Sequence, residues 1–313
     1  MMKAQTLTVK SWFALWKEAA SAWHDDKCLR LGAALAFYTI FAVSPLFVIV
    51  LAVASLWFGQ DVAREHLFAE IQHLLGKQGG EAIQTVVTSA SPAKGGAWAA
   101  IAIGALVLGA TGVFVELQDA LNTIWRVARL PGGGIRHFIK DRMLSFAMIL
   151  SIGFLLLVSL VVSAALAAFG DSLSGWIPSV KMFWHFLDVI LSFAVITLLF
   201  ALIFKTLPDV HIPWRDAWAG AAVSSVLFNL GKLGLSFYLG RTSVVSNYGA
   251  AGSLVVIVLW VYYSSQTLFF GVEFTRVIVR RFKHAVAPTD RAVFQPLPKQ
   301  PVAPRETLRA ARS

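Results

Sequence analysis

"LGAALAFYTIFAVSPLFVIVLAVASLWFGQ", Leu31 to Gln60, is thirty residues without a charged side chain. A helix needs ~20 consecutive apolar residues to cross the hydrocarbon of a bilayer, so this stretch can span with length to spare. It is too long for the apolar region of a cleaved signal, and no cleavable signal is expected. Ser44-Pro45 sits near its middle. Proline removes a backbone donor, so a kink is predicted there.

The rest of the chain has the same character. Of its 313 residues, 57% are hydrophobic and only 14% charged, where a soluble domain carries about 25% charged residues. Further apolar runs follow at Gly95–Val115, Met143–Gly170, Phe183–Phe204 (with Asp188 near its start), Trp218–Leu239 and about Leu254–Val279. The fold class read from this pattern is an all-α membrane protein, a six-transmembrane helix bundle occupying residues 31–282. Residues 1–30 form an amphipathic N-terminal segment. In it Val9, Trp12, Phe13, Trp16, Ala20 and Trp23 fall on one helical face, which suits either the headgroup plane or the protein's own surface. Between spans one and two, Phe68, Ile71, Leu74 and Leu75 repeat at helical spacing, as do Ile83, Val86 and Val87, with Gly79-Gly80 between them. Two short external helices are predicted. Residues 283–313 hold five prolines and six lysines or arginines and read as a disordered basic tail.

Charge bias gives an orientation. The net charge is +10, from 27 Lys and Arg against 17 Asp and Glu. On a membrane protein such an excess marks cytoplasmic loops rather than a nucleic-acid partner. The N-terminal segment, the connections after spans two and four and the C-terminal part hold 21 of the basic residues, while the other side holds Arg64, Lys77, Lys94, Lys181 and Arg241. Both termini are therefore expected in the cytoplasm. The single cysteine, Cys28, excludes an internal disulfide, and the seven histidines are scattered, so no metal, cofactor or catalytic site is expected. No glycine-rich run ends in Gly-Lys-Ser/Thr, so any energy source would be an ion gradient or another subunit.

Charges inside spans are the candidate functional residues. Lys232 follows fifteen uncharged residues and precedes eight more. It lies about 22 Å along the fifth span, where it either snorkels outward or faces a polar cavity. Asn229 is one turn away on the same face. In the sixth span Trp260, Tyr262, Tyr263, Ser264, Ser265 and Gln266 form a polar cluster that either packs helices or lines a cavity. Lys232, Asn229, Tyr263 and Gln266 are thus candidate substrate-binding residues. Pro45, Glu116, Glu273 and Arg276 are candidate structural or gating residues. Arg276 lies one turn after Glu273, and Arg126 is within reach of Glu116.

"GAALAFYTIFAVSPL", "ELQDALNTIWRV", "LPDVHIPWRDAWAGA" and "YGAAGSLVVIVLWVYYSSQTLFFGVEFTRV" together resemble the signature segments of the YihY/virulence factor BrkB family. The resemblance covers roughly residues 15 to 282. It implies six spans in a bacterial cytoplasmic (inner) membrane and no agreed catalytic residues. Members have been linked to serum resistance or to moving lipids or solutes. An older ribonuclease label finds no support here, since the connections hold only His137 and His211, with no clustered ligands for metal-dependent hydrolysis. Two non-enzymatic functions remain. One is a transporter or translocator of an anionic lipid or solute. The other is a membrane scaffold or envelope-assembly protein that binds anionic lipid or a partner through its amphipathic N-terminus and basic tail.

Overall fold

The computed structural model describes residues 9–89, 112–130, 178–241, 252–282 and 284–295. The predicted second and third spans lie almost wholly outside these residues. Helix α1 (Val9–Asp25) and helix α2 (Cys28–Phe58) are separated by a two-residue turn. Lys27 makes that turn with a left-handed backbone, φ 55° and ψ 40°. Helix α3 covers Gln60–Ser89, α4 covers 112–125, α5 Pro178–Thr206, α6 Trp214–Arg241 and α7 Gly252–Phe282. Proline opens α5, where its missing N–H would have had no partner. Arg280 and Arg281 occupy the last turn of α7, where positive charge suits the helix dipole.

α7 is the central element: α1, α2, α3 and α6 all pack against it, and α5 packs against α6. Three helices among the described residues are long and apolar enough to cross a membrane, Val189–Thr206, Trp214–Leu239 and Leu254–Phe282. At 31 residues, α2 is about 45 Å long, longer than the ~30 Å hydrocarbon layer. It continues as helix through Ser44-Pro45. On α6, Val226, Leu230, Leu233 and Phe237 are exposed at successive helical turns, an apolar stripe turned away from the bundle.

The α6–α7 crossing is made of small residues. A Cβ added at Gly220 would fall 2.5 Å from the Gly271 carbonyl oxygen, and one added at Gly271 would fall 2.9 Å from the Gly220 carbonyl. The two backbones therefore touch, as small-residue motifs permit. Ser224 donates to the Thr267 carbonyl at 2.9 Å beside this contact, and Thr197 of α5 donates to Ser225 of α6 at 2.9 Å.

The α3 segment is helical at every turn from Gln60 to Ser89, yet it is not one straight rod. A Cβ at Gly80 would lie 3.0 Å from the Cα of Gln72. Eight residues of straight helix would hold them about 12 Å apart. The chain doubles back between Gln72 and Gly80, giving two helical arms where the sequence predicts two short helices. The separator is thus a few residues earlier than Gly79-Gly80 alone suggests. The arms do not stand apart from the bundle: Ala82 and Ile83 join its main core, and Leu67 and Phe68 pack with Leu51 and Ile71.

The described residues are mostly helical, in keeping with the all-α expectation, and two short strand pairs are added to the helices. Strand β1 (Val127–Arg129) pairs antiparallel with β4 (Ala292–Phe294), in the register Val127 to Phe294, Ala128 to Val293 and Arg129 to Ala292. Strand β2 (Val210–His211) pairs antiparallel with β3 (Ala287–Pro288). Residues 284–295, predicted as part of a disordered tail beginning at 283, are therefore held in place. Backbone bonds extend the pairing, from Leu130 to the Arg291 carbonyl and from Gln295 to the Arg126 carbonyl, each 2.8 Å. Residues 296–313 lie outside the described residues.

Candidate functional site

Three polar assemblies gather at the end of the bundle where α1, α4 and α7 finish and α2 and α6 begin. The first surrounds Asp209, in the segment between α5 and β2. Its Oδ2 accepts from Asn122 Nδ2 and from Arg129 Nε, each at 2.8 Å. Its backbone N–H donates to Asn122 Oδ1 at 2.8 Å, and its carbonyl accepts from Thr289 at 3.0 Å. One aspartate thus ties α4, β1 and the C-terminal segment together. Gln118 adds a bond to the Leu207 carbonyl at 2.9 Å. Nearby, burial raises the Asp119 carboxyl above its ordinary value; the positive Arg129 opposes this and the negative Asp209 adds to it. Glu116 is raised by burial and then by the charge of Asp119.

The second assembly joins α6 to the end of α7. His284 Nδ1 lies 2.8 Å and 3.0 Å from the two carboxyl oxygens of Asp216. Asp216 is in the first turn of α6, where a carboxylate suits the helix dipole.

The third is the most deeply enclosed. Glu273 of α7 has no solvent exposure at all. Arg276, one turn on, places Nη2 2.8 Å from Glu273 Oε2 and 2.7 Å from Asp26 Oδ2. Two acids from different segments thus converge on one guanidinium nitrogen. These are ionic contacts rather than aligned hydrogen bonds, since both Glu273 carboxyl oxygens and Asp26 Oδ2 remain without a hydrogen-bond partner among the described residues. The aligned bond from Arg276 goes from Nη1 to the Ile124 carbonyl. Arg126 reaches Asp26 Oδ1 at 3.2 Å from the other side. Lys27 and Arg126, the non-glycine residues with positive φ among the described residues, flank this network directly. Such backbone is uncommon without glycine and is often found at functional sites. No group of metal-ligating side chains occurs among the described residues.

The model of the family described as "Virulence factor BrkB" matches residues 19–295. The chain belongs to the virulence factor BrkB family. Among curated relatives of this BrkB-family chain is a UPF0761 membrane protein of Stenotrophomonas maltophilia, 27% identical over 254 residues, covering 77% of this chain and 55% of the relative. Another, from Alcanivorax borkumensis, is 26% identical over 286 residues, covering 89% of this chain and 62% of the relative. One from Pseudomonas aeruginosa is 28% identical over 257 residues, covering 79% and 58%. The chain spans about three-fifths of the length of these relatives. No solved structure matches it.

The residues predicted from sequence fall in two places in this BrkB-family fold. Glu273 and Arg276 are paired as their spacing predicts, at the centre of the third assembly. The partner of Arg126 is Asp26, not Glu116, because the left-handed turn at Arg126 carries it away from the α4 helix and toward the α1–α2 turn. The other set does not converge. Asn229 donates to the Ser225 carbonyl at 2.8 Å within its own helix. Tyr263 packs on Gly231, next to Lys232, and donates to the Leu227 carbonyl at 2.7 Å. Gln266 packs instead on Gly32 of α2, with Nε2 3.4 Å from the Cys28 carbonyl. Lys232 is half-buried. The side chains of Pro45 and Asp188 lie outside the described residues. Sequence reasoning missed Asp26, Asn122, Arg129 and Asp209. Asp209 does stand in the "LPDVHIPWRDAWAGA" segment that carries the family resemblance.

Proposed function

We propose that the chain is a non-enzymatic translocator of an anionic lipid or solute in the bacterial inner membrane, with both termini cytoplasmic. The supporting observation is the network of Asp26, Glu273, Arg276 and Arg126. It ties the α1–α2 turn, the end of α4 and the central helix α7 together at one end of the bundle. Ionisable groups enclosed in spanning helices mark pathways and gates more often than they add stability. In this reading the network is the inner gate: its pairs hold the helices closed and exchange partners when the path opens. Lys232, on the far part of α6, attracts the anionic group at the outer side.

The test is reconstitution of the full-length protein into vesicles carrying fluorescent phosphatidylglycerol or phosphatidylcholine, with an impermeant quencher outside. The reading expects flip of the anionic lipid severalfold above empty vesicles, faster in Arg276→Ala and lost in Lys232→Met with normal expression. A rate equal to that of empty vesicles for both lipids, and for a small anion such as phosphate loaded inside, would sink it.

A scaffold is the second reading, favoured by α1. Leu15 and Ala19 bury against α7, and Trp16 packs on Phe270 with ring centroids 5.3 Å apart. Phe13 points away and is 75% exposed, an apolar handle for a membrane surface or a partner. A scaffold tolerates Lys232→Met and loses function on Phe13→Asp or on removal of residues 296–313.

A further inference from the structure

The inner-end network leaves three buried acceptor oxygens in one place, Asp26 Oδ2 and both carboxyl oxygens of Glu273. They are neighbours through the shared Arg276 nitrogen, which lies 2.7 Å from Asp26 Oδ2 and 2.8 Å from Glu273 Oε2. Among the described residues, three charges act on Glu273. Arg276 is on its own helix, Asp26 is on the α1–α2 turn and Arg126 follows α4. The Cys28 thiol faces the same group from the first turn of α2. Arg126 is 42% exposed and contacts Asp26, while Arg276 is only 15% exposed.

Two ionised carboxylates so placed repel each other, and enclosed acceptors without aligned donors are costly. One proton on Glu273 would resolve both problems. It turns an acceptor into a donor toward Asp26 and leaves Asp26 held between Arg276 and Arg126. We infer that Asp26 and Glu273 form an exchangeable proton-binding site, with a single proton held between the two carboxyl groups. Loss of that proton restores the repulsion and loosens the α1–α2 turn from α7, about the left-handed residues Lys27 and Arg126. The use of this proton as a coupling ion rests on the translocator reading; the site itself does not.

Infrared difference spectra of the full-length protein in detergent, titrated between about pH 6 and about pH 9, test the site directly, since ordinary carboxyls are already ionised there. A protonated-carboxyl band is expected in the parent, lost in Glu273→Gln and kept in Asp209→Asn. Asp26→Asn is expected to shift its midpoint by about one pH unit or more. A parent without the band, or a band that survives in Glu273→Gln, overturns the proposal. If Glu273→Gln cannot be purified, an unshifted midpoint in Asp26→Asn overturns it instead. Lipid flip in vesicles under an imposed pH gradient separates the two readings. An intact band with no flip leaves the proton site standing and sinks the translocator, whereas flip without the band does the reverse.

Discussion

Helix α7 buries two sets of polar side chains and treats them in opposite ways. Tyr263, Ser264, Ser265, Thr267 and Thr275 each donate to a backbone carbonyl, on α6 for Tyr263 and on α7 for the rest, at 2.7 or 2.8 Å. Their polarity is matched, and they let helices approach closely. Glu273, two residues before Thr275, is fully buried and has no aligned donor. Buried polar groups are nearly always matched. The contrast therefore separates residues that pack the bundle from residues kept in an unresolved electrostatic state.

Four measurements test that contrast. The largest effect belongs to the α6–α7 crossing. Gly220→Leu drives a side chain into the Gly271 carbonyl and is expected to abolish monodisperse protein in size-exclusion chromatography. Gly234→Leu, where an added Cβ meets nothing within 4 Å, should leave the profile unchanged. Equal behaviour of the two would show that the crossing is not a tight contact.

Next comes Asp209→Ala, which leaves Asn122 and Arg129 facing an emptied site. The Arg129 side chain is 33% exposed, so the cost falls below the figure of about 3–5 kcal/mol for a fully buried pair broken from one side. Faster tryptic cleavage at Arg291 than in the parent is expected, along with a lower Tm. Unchanged cleavage would mean that the strands hold the C-terminal segment without the aspartate.

Tyr263→Phe should be far milder. It removes one interhelical bond, worth about 0.6 kcal/mol in membrane proteins, and is expected to lower Tm slightly while leaving lipid flip unchanged. A large loss of flip with an intact Tm would move Tyr263 from the packing set to the functional one.

The smallest effect is at Asp119. Its carboxyl is raised in the folded state, so the folded protein holds that proton where the unfolded chain has lost it. Its contribution favours folding at low pH and falls away as pH rises from the unfolded value through the folded one. Asp119→Asn should therefore raise Tm by no more than about 2 °C at neutral pH and leave it unchanged in acid. A rise of equal size in acid would contradict the sign.

Local patterns made some of this legible. Apolar run length revealed the spanning helices, because the bilayer requires every backbone group to be satisfied within the helix. The spacing of Glu273 and Arg276 revealed their pairing, since three residues make one turn. Asp26, Arg126 and Asp209 were not legible in this way. Their partners lie 80 or more residues away, a distance no periodicity reports. Strands of two or three residues fall below the length at which alternation can be read. Lys232 drew attention because a lone charge in an apolar run stands out, while the more enclosed acid sat near a helix end among arginines and looked like ordinary interfacial pairing.

The strands that pair β1 with β4 and β2 with β3 have a consequence for biogenesis. β4 leaves the ribosome long after β1, with two or more membrane helices made in between. Until then the segments after α4 and α5 have no edge to bind, so this end of the bundle closes last. A stalled or truncated nascent chain lacking residues 284–295 would carry its helices into the lipid and still present unpaired strands to quality-control proteases.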